Sequence, residues 1–190
     1  MEYFGKRFID IVASCFLLIL LSPLFFLISF LIFIFDGKPI IFRQKRIGLG
    51  GKPFTILKFR SMVVKEEEER KKMGDRSDSY RITKLGKFLR KTSVDELPQL
   101  INILKGDMSF IGPRPLPLWL KDKMLEDARA VYSCRPGMTG LAQVIDRSLK
   151  AGSGRWEEYN KTYCEKCSFW LDVWIVLKTI PALVFCKNVE

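Results

Sequence analysis

R-I-T-K-L-G-K-F-L-R-K-T-S-V-D-E-L-P-Q-L-I-N-I-L-K-G-D-M-S-F-I-G-P-R-P, from Arg81 to Pro115, is the stretch around which the rest of the chain must be arranged. Two adjacent carboxylates, Asp95 and Glu96, stand at its centre. Arg81, Lys84, Lys87, Arg90 and Lys91 precede them, and Lys105 and Arg114 follow. A carboxylate pair among cations suits a phosphate ester: the acids hold a metal or attack phosphorus, and the cations neutralise phosphate oxygens. The same residues admit a plainer reading. Ser93 and Glu96 fit the S-x-x-E capping box, in which both acids merely open a helix and face its positive dipole end. Pro98 speaks against a helix begun at Ser93, since proline is poorly tolerated beyond the first turn. A start nearer Leu97 would leave the acids at the helix mouth. Leu97, Leu100, Ile101 and Leu104 then form a buried stripe, closed by Gly106 as C-cap. Asp107 either caps the next turn or orients an arginine.

With 190 residues the chain is one domain plus an appendage, long enough to bury a core. Its 32 Lys and Arg against 21 Asp and Glu give a net charge of +11, which predicts an anionic partner. Nucleic acid, anionic lipid headgroups and a diphosphate substrate all qualify. Histidine is absent, which excludes Ser-His-Asp and Cys-His catalysis and the usual zinc sites. A general base must then be a carboxylate, cysteine, tyrosine or lysine, or the substrate's own phosphate. Cys15, Cys134, Cys164, Cys167 and Cys186 form no disulfide framework. Cys164-x-x-Cys167 stands without a second pair, so it reads as helix packing in a reducing cytoplasm rather than a metal or redox site.

Ile11 to Phe35 is a 25-residue run without a charge, long enough to span a bilayer and too long for a signal-peptide core. Ser22-Pro23 interrupts it near the middle, where proline removes a backbone hydrogen bond and kinks a helix. Both flanks are basic: Lys6 and Arg7 before it, Lys38, Arg43, Lys45 and Arg46 after it. A spanning helix would place one of them outside, against the positive-inside tendency. A re-entrant helix keeps both on one side, with arms of about a dozen residues and roughly 18 Å each. A proline-kinked span remains the alternative. The Ser22 hydroxyl can satisfy a carbonyl freed at the bend, and Asp10 is placed to pair with Lys6 or Arg7.

Ile40–Arg46 and Phe54–Arg60 read as two strands joined by a glycine-rich turn without Walker spacing, hence a hairpin. Between Asp36 and Met62 seven basic residues face Asp36 alone, a surface for anionic lipid or substrate phosphate. Lys65–Asp78 is charged in alternating blocks and reads as an exposed helix and loop. Thr83–Lys91 forms a short amphipathic helix, with Leu85, Phe88 and Leu89 on one face for the core or a membrane interface. Two prolines stiffen Ile111-Gly-Pro-Arg-Pro, which presents Arg114 as a fork. Leu116–Tyr132 is a further amphipathic helix. Trp156–Lys178 carries Tyr159, Tyr163, Trp170 and Trp174 on helical spacings, for core packing or interfacial anchoring.

The run S-V-D-E-L-P-Q-L-I-N-I-L-K-G-D-M-S-F-I-G-P-R-P resembles the core signature of the bacterial sugar transferases, the monotopic phosphoglycosyl transferases. G-K-R-F-I-D, F-R-Q-K-R-I-G, I-L-K-F-R-S-M and the segment from Cys134 to Arg147 extend the likeness over essentially the whole chain. Asp146, Ser148 and Asn160 depart from the pattern. Asp146 stands where glycine is usual, and its tolerance of left-handed backbone would preserve the turn.

The resemblance implies an α+β, mostly helical fold. Residues 1–36 would form a re-entrant membrane helix broken at Ser22-Pro23. Residues 37–190 would form a cytoplasmic, interfacial catalytic domain with a small β-hairpin and amphipathic helices. It further implies transfer of a sugar 1-phosphate from a UDP-sugar to polyprenyl (undecaprenyl) phosphate at the bacterial inner membrane, with magnesium and without nucleic acid. Asp95 would attack phosphorus and Glu96 would orient the metal or the nucleophile; which of the two holds the ion stays open. Lys58, Arg60, Arg90, Arg114, Arg135, Gln143 and Arg147 would contact substrate. A single-step transferase and a non-enzymatic membrane adaptor are the rival readings. A homodimer is one assembly left open.

Overall fold

A computed structural model describes residues 2–63, 81–118, 131, 133–146, 149 and 153–184. The charged segment Lys65–Asp78, most of the expected helix Leu116–Tyr132, and Arg147 and Ser148 lie outside them. The fold is α+β and mostly helical. Helices α1 (Lys6–Leu20) and α2 (Ser22–Phe35) are bent by 61° at Leu21. The cause is local. Pro23 has no N–H to offer the Ile19 carbonyl four residues earlier, and the Ser22 hydroxyl donates to that carbonyl at 2.8 Å instead. No single helix among the described residues is long and apolar enough to cross a membrane, whereas the bent pair is so by length and composition.

Strands β1 (Ile41–Ile47) and β2 (Pro53–Phe59) form the expected hairpin, with Phe42 opposite Lys58 and Gln44 opposite Ile56. Its tight turn has Gly50 and Gly51 at positive φ. Helix α3 (Lys84–Lys91) is N-capped by Thr83, whose hydroxyl accepts from Gly86 N at 2.8 Å. Its apolar residues part company: Leu89 is buried and Phe88 is exposed. Helix α4 (Gln99–Lys105) ends at Gly106, with φ 93°. Asp107 neither caps the next turn nor orients an arginine through any described bond. It accepts from the Asn102 amide at 3.2 Å. That amide also ties α4 to β2, donating to Thr55 O at 2.8 Å while its oxygen accepts from Leu57 N at 3.0 Å.

Strands β3 (Ser109–Ile111) and β4 (Gly137–Thr139) pair in parallel. They approach so closely that a Cβ on Gly112 would lie 2.2 Å from Arg135 O, and one on Gly140 would lie 2.1 Å from Gly112 O. Only glycine permits this crossing, which fixes the start of the Pro113-Arg114-Pro115 loop. Helices α5 (Leu141–Ile145), α6 (Arg155–Lys166) and α7 (Phe169–Val184) complete the body. The aromatic tail is thus two helices, with a break at Cys167 and Ser168. Trp156 and Tyr163 are buried, while Trp170 and Trp174 are exposed. Cys134 and Cys164 pack in the same core cluster, with Cys167 against it. The buried Asn160 donates to Trp156 O at 2.8 Å.

The polar face of α1 turns inward. Asp10 does not pair with Lys6 or Arg7 as its helical spacing predicts. Lys6 forms a buried ion pair with Asp172 of α7. Arg7 donates to the last carbonyls of α4, Ile103 at 2.5 Å and Leu104 at 2.8 Å. Asp10 accepts from Ser109 Oγ at 3.1 Å and Phe110 N at 3.2 Å. Spacing on one helix shows which side chains are neighbours, but a packed body offers each of them a better partner.

Candidate active site

Asp95 and Glu96 do not sit in a capping box. Ser93 has φ 57° and ψ 15°, and its side chain makes no cap hydrogen bond. A left-handed serine is uncommon, and it swings the chain into a short 3-10 turn, Val94–Glu96, before α4 begins at Gln99. Both acids line a cavity of about 1030 Å³. The β-hairpin supplies one wall. Strand alternation puts Phe42, Gln44 and Arg46 of β1 on one face with Lys58 of β2, and all four line the cavity. Arg90 from α3 and Arg114 from the proline-flanked loop line it too. Leu17 and Leu21 at the bend, and Val176 and Ile180 of α7, add apolar lining.

The two carboxylates differ electrostatically. Glu96 accepts from Lys58 Nζ at 2.6 Å and lies 3.5 Å from the Arg114 guanidinium. Burial pushes its carboxyl up, but Lys58 and Arg114 together outweigh it and hold Glu96 below the usual range. Asp95 is only 8% exposed. Burial raises its pKa to about 6; Lys58 and Arg90 oppose the rise, and the neighbouring Glu96 adds to it. One acid is thus a fixed anion that anchors cations, and the other is a carboxylate starved of solvent beside an opening.

The remaining sequence candidates separate. Gln143 lines the cavity, its amide donating weakly to Met138 O at 3.4 Å and its Oε1 buried without a hydrogen-bond partner. Arg60 touches the cavity wall, but its fork is committed elsewhere. It donates to the carbonyls of Asp36, Gly37 (2.8 Å) and Lys38 (2.6 Å) just after α2, which leaves no free fork for phosphate. Arg135 is not brought to the site. It pairs with Glu2 and donates to Gly106 O at 3.1 Å, away from the cavity lining. Arg147 lies outside the described residues. Arg46, which the sequence marks only as part of a basic flank, joins the site. Burial, with Arg114 nearby, lowers its pKa to about 10 against the pull of Glu96, and its Nε is buried without a partner. Period-two alternation with Gln44 is the signal that could have found it. Asp146 also lines the cavity; its backbone is extended (φ −152°, ψ 106°), so no left-handed turn had to survive the substitution.

Among the described residues no group of three or more Cys, Asp or Glu side chains could enclose a metal. Magnesium does not need one, since it is commonly held by one or two carboxylates with substrate phosphates and water completing its shell. Asp95 and Glu96, adjacent in the lining of a cavity that also holds cations, fit that donor set.

One cavity thus brings together cationic, apolar and carboxylate side chains. The comparisons agree on the family: the bacterial sugar transferase model matches residues 1–186, and the chain belongs to that family. A UDP-glucose:undecaprenyl-phosphate glucose-1-phosphate transferase of Caulobacter vibrioides is 41% identical over 96% of this chain and 71% of its own. A UDP-N-acetylgalactosamine-undecaprenyl-phosphate N-acetylgalactosaminephosphotransferase of Aeromonas hydrophila is 39% identical over 95% of this chain and 44% of its own. The uncharacterized sugar transferase EpsL of Bacillus subtilis is 37% identical, covering 97% of this chain and 90% of its own.

Proposed function

We propose that the protein moves a sugar 1-phosphate from a UDP-sugar to polyprenyl phosphate through a covalent intermediate on Asp95. The observation that carries the reading is the desolvated Asp95 carboxylate opening on a cavity bounded by Arg46, Lys58, Arg90 and Arg114. A carboxylate oxygen of Asp95 attacks the phosphorus that bears the sugar. The bond from that phosphorus to the UMP oxygen breaks, and UMP leaves with the electron pair. An oxygen of polyprenyl phosphate then attacks the same phosphorus and displaces the Asp95 carboxylate, leaving a polyprenyl diphosphate sugar. Both nucleophiles are anions, so neither step needs a general base, which accords with a chain lacking histidine. Arg114 and Lys58, steadied by Glu96, neutralise phosphate oxygens. Magnesium held by Asp95 or Glu96 would polarise the diphosphate and ease UMP departure.

The same reading places the body on the cytoplasmic face of a bacterial inner membrane, with α1 and α2 as a re-entrant anchor. Both ends of the bent pair are bonded to one catalytic body: Lys6 and Arg7 at the start, and the carbonyls from Asp36 to Lys38 at the end. A segment whose two ends dock on one body leaves the bilayer on the side it entered. Its outward residues, among them Phe8, Phe16, Ile19, Phe26 and Phe30, are exposed large hydrophobics. Apolar side chains among the cavity's lining, Leu17, Leu21 and Ile180, suit an isoprenoid tail.

The test uses purified protein in detergent with UDP-glucose, UDP-galactose and UDP-N-acetylgalactosamine, labelled in the sugar phosphate. Label should attach covalently to the native protein and not to Asp95→Asn. Exchange of free UMP into the UDP-sugar without lipid separates the two-step route from a single-step one. Full turnover by Asp95→Asn would remove Asp95 as nucleophile.

A further inference from the structure

We infer that α1 is a working part of the active site: its buried polar face, with Tyr163 of α6, holds strand β3 in place and thereby positions Arg114. The inference rests on the reading of Arg114 as a phosphate-neutralising group.

Strand β3 has three residues, too few to hold a position by pairing with β4 alone. Every one of them is held from outside the sheet. Ser109 donates its hydroxyl to Asp10 Oδ1 at 3.1 Å, and Phe110 donates its N–H to the same oxygen at 3.2 Å. The Ile111 carbonyl lies 3.0 Å from the Tyr163 hydroxyl. That hydroxyl is also 2.7 Å from Asp172 Oδ1, so its single proton is shared between the strand and the carboxylate. Asp172 is fixed in turn by Lys6, and Tyr3 donates to it at 3.2 Å. Two carboxylates, one on α1 and one bound to α1 by Lys6, thus converge on a single short strand.

The loop beyond β3 makes the convergence matter. Gly112 N donates to Thr139 O at 2.9 Å, and Gly137 N donates to Pro113 O at 2.9 Å. Arg46 donates to Pro115 O at 3.0 Å. Between these bonds Pro113 and Pro115 leave Arg114 little backbone freedom. A displacement of β3 therefore passes into Arg114, which lies 3.5 Å from Glu96. Hydrophobic packing alone could have seated α1, since Leu17, Leu18 and Leu21 already pack on Ile56, Leu100 and Ile103. Three buried polar residues, Lys6, Asp10 and Ser14, are costly to place on a helix whose other faces are apolar. Positioning of β3 gives two of them a purpose.

Asp10 and Tyr163 are positioning residues, and the test separates that role from general stability. The full chain in detergent is assayed for UMP release with whichever of UDP-glucose, UDP-galactose and UDP-N-acetylgalactosamine is turned over fastest. Tyr163→Phe keeps the ring and removes the hydroxyl. It should lower kcat about 10-fold with KM for the UDP-sugar within about 2-fold, as small misplacements of reacting groups do. Asp10→Ala should do the same, and Asp10→Asn, whose amide oxygen can still accept both bonds, should restore most of the loss. In an Arg114→Ala background Tyr163→Phe should cost little further, because its target is gone. Should Asp10→Ala fail to fold, Tyr163→Phe and its double variant decide alone. Unchanged kcat in folded Tyr163→Phe, or a loss that simply adds to that of Arg114→Ala, would overturn the inference. Neither result touches the covalent reading, which only turnover by Asp95→Asn would remove.

Discussion

Asp172 and Asp95 are buried to nearly the same degree, 6% and 8% exposed, yet they sit in opposite surroundings. Asp172 is neutralised within the chain: Lys6 pairs with it, and Tyr3 and Tyr163 bond to it. Asp95 faces a cavity, and the nearest lysine, Lys58, is bonded to Glu96 instead. The seam between α1 and α7 uses a buried charge to fix geometry. The cavity wall keeps Asp95 buried without full compensation from Lys58 and Arg90, and that burial raises its pKa. Carboxylates of the second kind gather at sites of chemistry, where a poorly solvated anion reacts with an incoming group.

The largest expected effect tests the structural side of this contrast. Lys6→Met leaves Asp172 buried without its cation, and breaking one half of such a pair costs about 3–5 kcal/mol. The urea midpoint in detergent should fall accordingly. A small shift would mean that Tyr3 and Tyr163 alone satisfy the carboxylate.

Asp95→Asn should move stability the other way. The folded pKa of Asp95, about 6, stands above the ordinary 3.8, so the folded state binds this proton more tightly than the unfolded chain does. Ionising Asp95 therefore destabilises the fold above about pH 6, and this penalty is relieved as pH falls from 6 towards 4. The variant, neutral throughout, should exceed the native protein by about 3 kcal/mol at pH 7.5, with the excess vanishing near pH 4. Native kcat/KM should fall as pH drops through about 6, because the protonated acid is no nucleophile. A variant that gains stability while losing all turnover would mark Asp95 as strain kept for function.

Much of this was legible in the sequence, and the failures have a common cause. The glycine-rich turn between two short strands located the hairpin, and Ser22-Pro23 located the bend, because these signals depend on neighbours along the chain. Gly106 was readable as a cap for the same reason. The capping-box reading of Ser93 failed because Ser93 is left-handed where the motif needs an extended N-cap, and its side chain makes no cap hydrogen bond. Asp10, Lys6 and Asp172 were unreadable because the Lys6–Asp172 partners lie 166 positions apart. Arg60 and Arg114 look alike as basic residues in family motifs. Only the fold shows that the carbonyls after α2 occupy one fork and that the other stands at the cavity.

Those two arginines give a finer test. Arg60→Ala strips three carbonyls of a charged donor, each such bond being worth about 1.5–3 kcal/mol when broken in isolation. Shared on one side chain, they should cost about 2–3 kcal/mol in total. KM for the UDP-sugar should change little in the fraction that stays folded. Arg114→Ala, exposed and bonded only weakly to Glu96, should leave the unfolding free energy within about 0.5 kcal/mol of the native value and lower kcat/KM instead.

The smallest effect bears on whether the cavity wall is held from the side of α3. Thr83 caps that helix, its hydroxyl accepting from Gly86 N at 2.8 Å and donating to Asp36 Oδ2 at 2.9 Å. One side chain thus joins the end of α2 to the start of the helix that carries Arg90. Thr83→Ala should cost about 1 kcal/mol, the ordinary value of an N-cap, while Thr83→Ser should cost less because it keeps both bonds. If α3 only packs against the core, the two variants should share one kcat/KM. If its N-terminus sets where Arg90 meets the cavity, the alanine variant should lose activity that the serine variant keeps. Measuring both in one detergent, at a pH well above 6, keeps the titration of Asp95 from masking so small a difference.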